Sequence, residues 1–166
     1  TMNQSLIQDF GIVRPRIALL GINPHSGDDG TIGSEDDTIM RPAIASLFEE
    51  GILAFGPYAA DGFFGSSTYT QFDGVIAAYH DQGLVAFKTL SFGQGVNYTA
   101  GLSRVRTSPD HGTAYAIAGK GEADPSSFTQ ALFAAVDIYR RRTAYQALEA
   151  NKLKPNQKKA AKEHNA

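Results

Sequence analysis

Short apolar runs alternate with amphipathic segments along this chain. Arg16 to Gly21, a short apolar run bounded by Pro15 and Gly21, predicts a buried strand. Upstream, Leu6, Ile7 and Phe10 have helical spacing and Gly11 reads as the stop, so a short helix feeds directly into that strand. Asn23 to Gly33 reads as a polar, glycine-rich loop. Pro42 to Glu50 reads as a helix, with Ala43, Ile44, Leu47 and Phe48 on one face and Gly51 as its end. Ile52 to Phe55 is a predicted strand, ended by Gly56-Pro57, and Asp61 to Phe64 a loop or short helix. The next strand is predicted over Phe72 to Tyr79, and Gln82 to Phe87 reads as a short helix or a turn.

Beyond Leu90, glycines punctuate the chain, leaving Val96 to Thr99 and Val105 to Ser108 as short β segments. Asp110 opens a short helical piece that ends near Gly119. The longest helix is predicted from Asp124 as N-cap with Pro125 in the first position. Its apolar face is Phe128, Ala131, Leu132, Ala135, Ile138 and Tyr139, with Arg140, Arg141 and Arg142 near its end. Strands alternating with helices predict an α/β fold: three layers, with a mixed but mostly parallel sheet and flanking helices.

Composition narrows the classes. The chain has 166 residues, 42% of them hydrophobic, enough for one sizeable core. A net charge of −2 and a pI near 6.0 point to neither nucleic acid nor an anionic membrane as partner. No run approaches the roughly 18 apolar residues of a membrane span, and no signal peptide is recognisable, so a cytoplasmic location is expected. With no cysteine, a metal would be held by His and Asp or Glu. From Asn151 onward apolar content collapses and lysines gather around Pro155, which reads as a solvated basic tail.

Candidate chemistry gathers at strand ends. His25, in Asn23-Pro24-His25, and His80, in Tyr79-His80-Asp81-Gln82-Gly83-Leu84, each follow a predicted strand and enter a glycine-bearing loop. Open α/β sheets bind ligands at such ends. Two neutral imidazoles on neighbouring ends could share a divalent ion, with further ligands from elsewhere; taken singly, each is an ordinary surface histidine. Lys88, Asn97 and Arg106 interrupt apolar or glycine-rich segments. Converging on one pocket they would suit a phosphorylated or carboxylated small molecule; otherwise they are surface polar groups. Asp110-His111 before Gly112-Thr113 reads either as a simple cap or as a helix start facing an anion. The P-loop, GxSxG and HExxH patterns are absent.

Five motifs occur in one order: NPHSGDDGTIGSED (Asn23 to Asp36), GPYAADGFF (Gly56 to Phe64), YHDQGL with its following lysine (Tyr79 to Lys88), VNYTAGL (Val96 to Leu102) and VRTSPDHGTAYAIAGKGEAD (Val105 to Asp124). Together they resemble the 4-hydroxythreonine-4-phosphate dehydrogenase family of vitamin B6 (pyridoxal phosphate) biosynthesis, from about Leu6 to about Tyr139. The resemblance implies an isocitrate/isopropylmalate dehydrogenase-like fold and a homodimer with its active site at the interface. It implies a divalent metal (zinc, magnesium or cobalt) held by histidines of both subunits, two of them matching His25 and His80. Lys88, Asn97 and Arg106 match its substrate contacts, with Lys88 also a candidate for proton transfer.

The implied reaction is NAD-dependent oxidation of 4-phosphooxy-L-threonine, followed by decarboxylation to 3-amino-2-oxopropyl phosphate. The chain is about half the family's length and carries Val85 where the family often has proline. Residues 1–120 are therefore expected to form a metal- and substrate-binding, dimer-forming α/β domain that is incomplete at its N-terminus. Residues 121–150 would be a helical return toward a coenzyme domain, and 151–166 a basic flexible tail. Catalysis would then need the other half. The alternative is a stand-alone metal- and phosphate-ligand-binding module without redox activity.

Overall fold

Ile17, Ala18, Leu19 and Leu20 are all buried, because their strand lies mid-sheet with both faces covered. The structure, a computed structural model, describes residues 1–153; the expectation for the basic tail thus falls almost wholly outside the described residues. The first strand, β1 (Arg16–Leu20), is flanked by β2 (Leu53–Tyr58) and β3 (Gly74–Ile76), both parallel to it, in the order β2-β1-β3. The helices are α1 (Met2–Gln8), α2 (Arg41–Glu49), α3 (Ala60–Gly65), α4 (His80–Ser91) and α5 (Ser126–Ala150). A separate antiparallel ribbon pairs β4 (Val96–Tyr98) with β5 (Thr107–Pro109). The mixed, largely parallel α/β class is as expected from the sequence.

Side-chain alternation along β1 builds two cores. Ile17 and Leu19 point to one face, where Leu6 of α1 and Ile44 and Leu47 of α2 cover them. Ala18 and Leu20 point to the other, against Phe63 of α3 and the rings of Tyr58 and Phe72. The connection from β1 to β2 thus covers one face, and that from β2 to β3 the other. Strand order reverses at β1, so the crevice beyond the carboxyl ends of β1 and β3 is a topological switch point, where open α/β sheets place ligands.

Several boundaries differ from expectation. β2 runs through Gly56-Pro57 instead of ending there, because the register slips between Ala18↔Phe55 and Leu20↔Tyr58. Gly56 sits at φ 136°, and a Cβ there would lie 2.4 Å from the Leu19 carbonyl oxygen. β3 is shorter than expected, and His80 does not close a strand; it is the first residue of α4. The piece after Asp110 is a single helical turn at Tyr115–Ile117. Of the apolar face expected on α5, Ala131 and Ile138 are buried, but Phe128, Leu132 and Tyr139 are 61%, 54% and 64% exposed. The buried stripe instead runs Ser127, Ala131, Ile138, Arg142.

Candidate functional site

His25 is carried by a tight turn, Pro24–Gly27, just beyond β1. His25, Ser26, Asp28 and Asp29 all have positive φ, so the loop needs anchors. The main anchor is Asp36, which is fully buried and accepts from the backbone N–H groups of Ile22 and Asn23, each at 2.8 Å. The Asn23 amide donates to Glu35 Oε2 at 2.8 Å, and this bond holds the exposed Glu35 carboxyl below its ordinary range. Ser26 Oγ donates to the Pro57 carbonyl at 3.2 Å, tying the loop to β2.

His80 opens α4 beyond β3. The helix has no side-chain cap at Tyr79. Gln82 bridges the junction instead: its Oε1 accepts from Ala78 N–H at 2.8 Å, and its Nε2 donates to the Gly21 carbonyl at 3.0 Å. The ends of β1 and β3 are thereby stitched together. Between them lies a cleft of about 510 Å³ whose lining includes Asn23, His25, Asp61, Tyr79 and Gln82. Both histidines are exposed at this end of the sheet. His80 Nδ1 lies 2.7 Å from Asp81 Oδ1; a carboxylate can only accept, so the neutral ring carries its proton on Nδ1 and presents the Nε2 lone pair. A carboxylate behind an imidazole is the usual way a metal-binding histidine is oriented. Among the described residues no three His, Asp or Glu side chains assemble a complete site. A metal held here by His25 and His80 would need its remaining ligands from outside these side chains.

Lys88, Asn97 and Arg106 lie on neighbouring elements and, like His80, outside the lining of that cleft. Lys88 is on α4, 3.7 Å from Asp110 Oδ1 just past β5. Asn97 is the exposed centre of β4, paired with Ser108. Arg106 precedes β5 and donates to Thr99 Oγ1 at 2.9 Å. The ribbon thus brings Asn97 and Arg106 together, whereas Lys88 approaches its far end.

Three buried residues had no role in the sequence reading: Asp36, Asp9 and Arg142. Asp9, at the end of α1, is fully buried. Arg142 of α5 donates to it through Nε at 2.6 Å and Nη2 at 3.0 Å, and the Tyr98 hydroxyl donates to the same carboxylate. Burial raises the Asp9 pKa, but the bonds from Arg142, Tyr98 and Gln8 outweigh it, and the net shift is downward from 3.8. Burial and the Asp9 bond raise the Tyr98 pKa, so its hydroxyl keeps its proton. A depressed carboxyl contributes stability in full above its unfolded value and loses it as pH falls through the folded one. Acid unfolding followed by near-ultraviolet circular dichroism should therefore show stability falling below about pH 3.8, and Asp9→Asn should flatten that dependence.

Residues 1–135 match the family described as pyridoxal phosphate biosynthetic protein PdxA. A 4-hydroxythreonine-4-phosphate dehydrogenase of Bacteroides thetaiotaomicron is 56% identical over 152 residues, covering 92% of this chain and 42% of that relative. A 4-hydroxythreonine-4-phosphate dehydrogenase crystal structure from Klebsiella pneumoniae superposes with a TM-score of 0.70 at 40% identity, over 82% of this chain and 42% of that one. One from Burkholderia phymatum gives 0.66 at 44% identity, with coverage of 82% and 42%. The chain thus spans about two fifths of the length of the relatives it matches. No helix among the described residues is long and apolar enough to cross a membrane.

Proposed function

The chain belongs to the pyridoxal phosphate biosynthetic protein PdxA family, and from that premise we propose that it supplies the metal- and phosphate-binding part of a 4-hydroxythreonine-4-phosphate dehydrogenase. The observation that carries this reading is the pair of histidine-bearing segments stitched side by side at the switch point of the sheet. The substrate is 4-phosphooxy-L-threonine. Its secondary alcohol loses hydride to NAD and a proton to a base, and the resulting β-keto acid loses carbon dioxide to give 3-amino-2-oxopropyl phosphate.

A divalent ion, if bound, would supply Lewis-acid chemistry, lowering the pKa of the alcohol and stabilising the charge left by decarboxylation. His25 and His80 would hold it, within one chain or across two copies, with Asp81 fixing the His80 tautomer. Lys88 and Arg106 bind the anionic groups of the substrate: Arg106 presents a planar fork, and Lys88 a mobile ammonium that also suits proton transfer. Asn97 donates its amide to a phosphate oxygen. Residues 1–120 act as the metal- and substrate-binding domain, and 121–150 as the helical return toward a coenzyme domain. Exposed apolar side chains on α4, Val85 and Leu90 among them, border a further cleft of about 450 Å³ and support pairing of two copies.

Titration of the chain with 4-phosphooxy-L-threonine in the presence of zinc tests this reading. Saturable binding is expected, weakened about tenfold or more in Lys88→Met, since a charged hydrogen bond contributes about 1.5–3 kcal/mol. Equal binding by the variant would refute the assigned role. NADH formation in the same samples distinguishes a dehydrogenase from a binding module without redox activity.

A further inference from the structure

The ribbon that carries Asn97 and Arg106 is short: three residues in each strand. A lone two-stranded ribbon of this length is not stable in water, so its placement must come from outside. Five side-chain bonds provide it. Thr107 Oγ1 donates to the Ala131 carbonyl of α5 at 2.8 Å. Ser127 Oγ accepts from Asp110 N–H at 3.0 Å. Arg142 Nη1 donates to the Leu102 carbonyl, in the connection between the strands, at 3.0 Å. On β4 itself the Tyr98 hydroxyl donates to Asp9 and accepts from Arg142 Nη2 at 3.2 Å.

Tyr98 is the direct neighbour of Asn97, and alternate strand residues face opposite ways. Whatever fixes the inward Tyr98 therefore fixes the outward angle of Asn97. Its ring is also held edge-on by Phe10, centroids 5.5 Å apart. We propose that Tyr98, locked by the buried Asp9–Arg142 pair, is a positioning residue that aims Asn97 and Arg106 at the phosphate ester. The inference rests on the site reading above. The pair spans α1 and α5, 133 positions apart, so both helices and the ribbon are set by one buried carboxylate. The downward-shifted Asp9 carboxyl, ionised at neutral pH, suits a permanent acceptor in this role.

The test is a nuclear magnetic resonance titration of the 166-residue chain with 4-phosphooxy-L-threonine, following backbone amides and the Asn97 side-chain amide. Tyr98→Phe keeps the ring and its packing on Phe10 but loses the hydroxyl. It should weaken binding about tenfold, the loss of roughly one buried hydrogen bond's worth of orientation. Zinc affinity at His25 and His80, beyond the ends of the other sheet, should stay unchanged, which a general loss of structure would not allow. The double variant Asp9→Leu with Arg142→Met keeps the packing but gives Tyr98 no acceptor, and should show the same selective loss. Weakened binding in Asn97→Ala with none in Tyr98→Phe overturns the positioning role alone. No saturable shift in the unaltered chain, or equal responses in every variant, overturns the phosphate reading and the positioning role with it.

Discussion

Replacing Arg142 by alanine is expected to destabilise the chain by about 3–5 kcal/mol, the range for removing one partner of a buried ion pair. For a domain of this size that is a fall in Tm of roughly 10–15 °C, measurable by calorimetry. The cause is the carboxylate left behind. Asp9 is fully buried at the C-terminal end of α1, where the helix dipole already opposes a negative charge, and Arg142 supplies its two shortest cationic contacts. The Leu102 carbonyl loses its donor as well. Removing both charges should cost far less: Asp9→Leu with Arg142→Met is expected to recover most of the stability, because an apolar pair of similar volume has no desolvation cost. A double variant as unstable as the single one would show that the bonds to Tyr98 and Leu102, not the charge pair, dominate.

Asp36→Ala is the second large effect. It strands the partly buried N–H groups of Ile22 and Asn23, at up to about 1–3 kcal/mol each. The loss also falls on the loop whose positive-φ residues include His25. Zinc affinity should therefore drop about 10–100-fold, the range for removing a group that orients a metal ligand. Asp36→Asn retains one acceptor and should give an intermediate result in both denaturant titration and zinc titration. A full loss of stability with unchanged zinc affinity would separate Asp36 from the loop's function.

What could be read from the chain alone was what local pattern controls. The continuous apolar run of β1 and the spaced apolar positions of α2 gave elements within a residue or two of those observed. Gly56-Pro57 resembles a stop and hides the second half of β2; only the register slip against β1 lets it continue. The sequence understates α4 because Gly83 lies in its first turn and Tyr79 is a poor cap. Its start is secured by Gln82, whose partner Gly21 lies in another part of the chain. Asp9 and Asp36 carry no local sign of burial, since a carboxylate is buried by partners that sequence spacing does not reveal. Arg142 did carry one. It stands four positions after Ile138 and eleven after Ala131, on the stripe that α5 buries, but within a run of three arginines it resembled solvated charge. At the site, His25 and His80 are legible through their motifs, whereas the joining of the segments that carry them depends on β3 pairing with β1 instead of β2, a choice made by tertiary packing.

The most direct measurement is anomalous diffraction from crystals of the chain grown with zinc. The expected result is one zinc peak bonded to an imidazole nitrogen of His25 and one of His80, each at about 2.0–2.1 Å, from the same chain or from two paired copies. Zinc bound separately at each histidine, or held elsewhere with both imidazoles free, would contradict a shared metal centre at the switch point of the sheet.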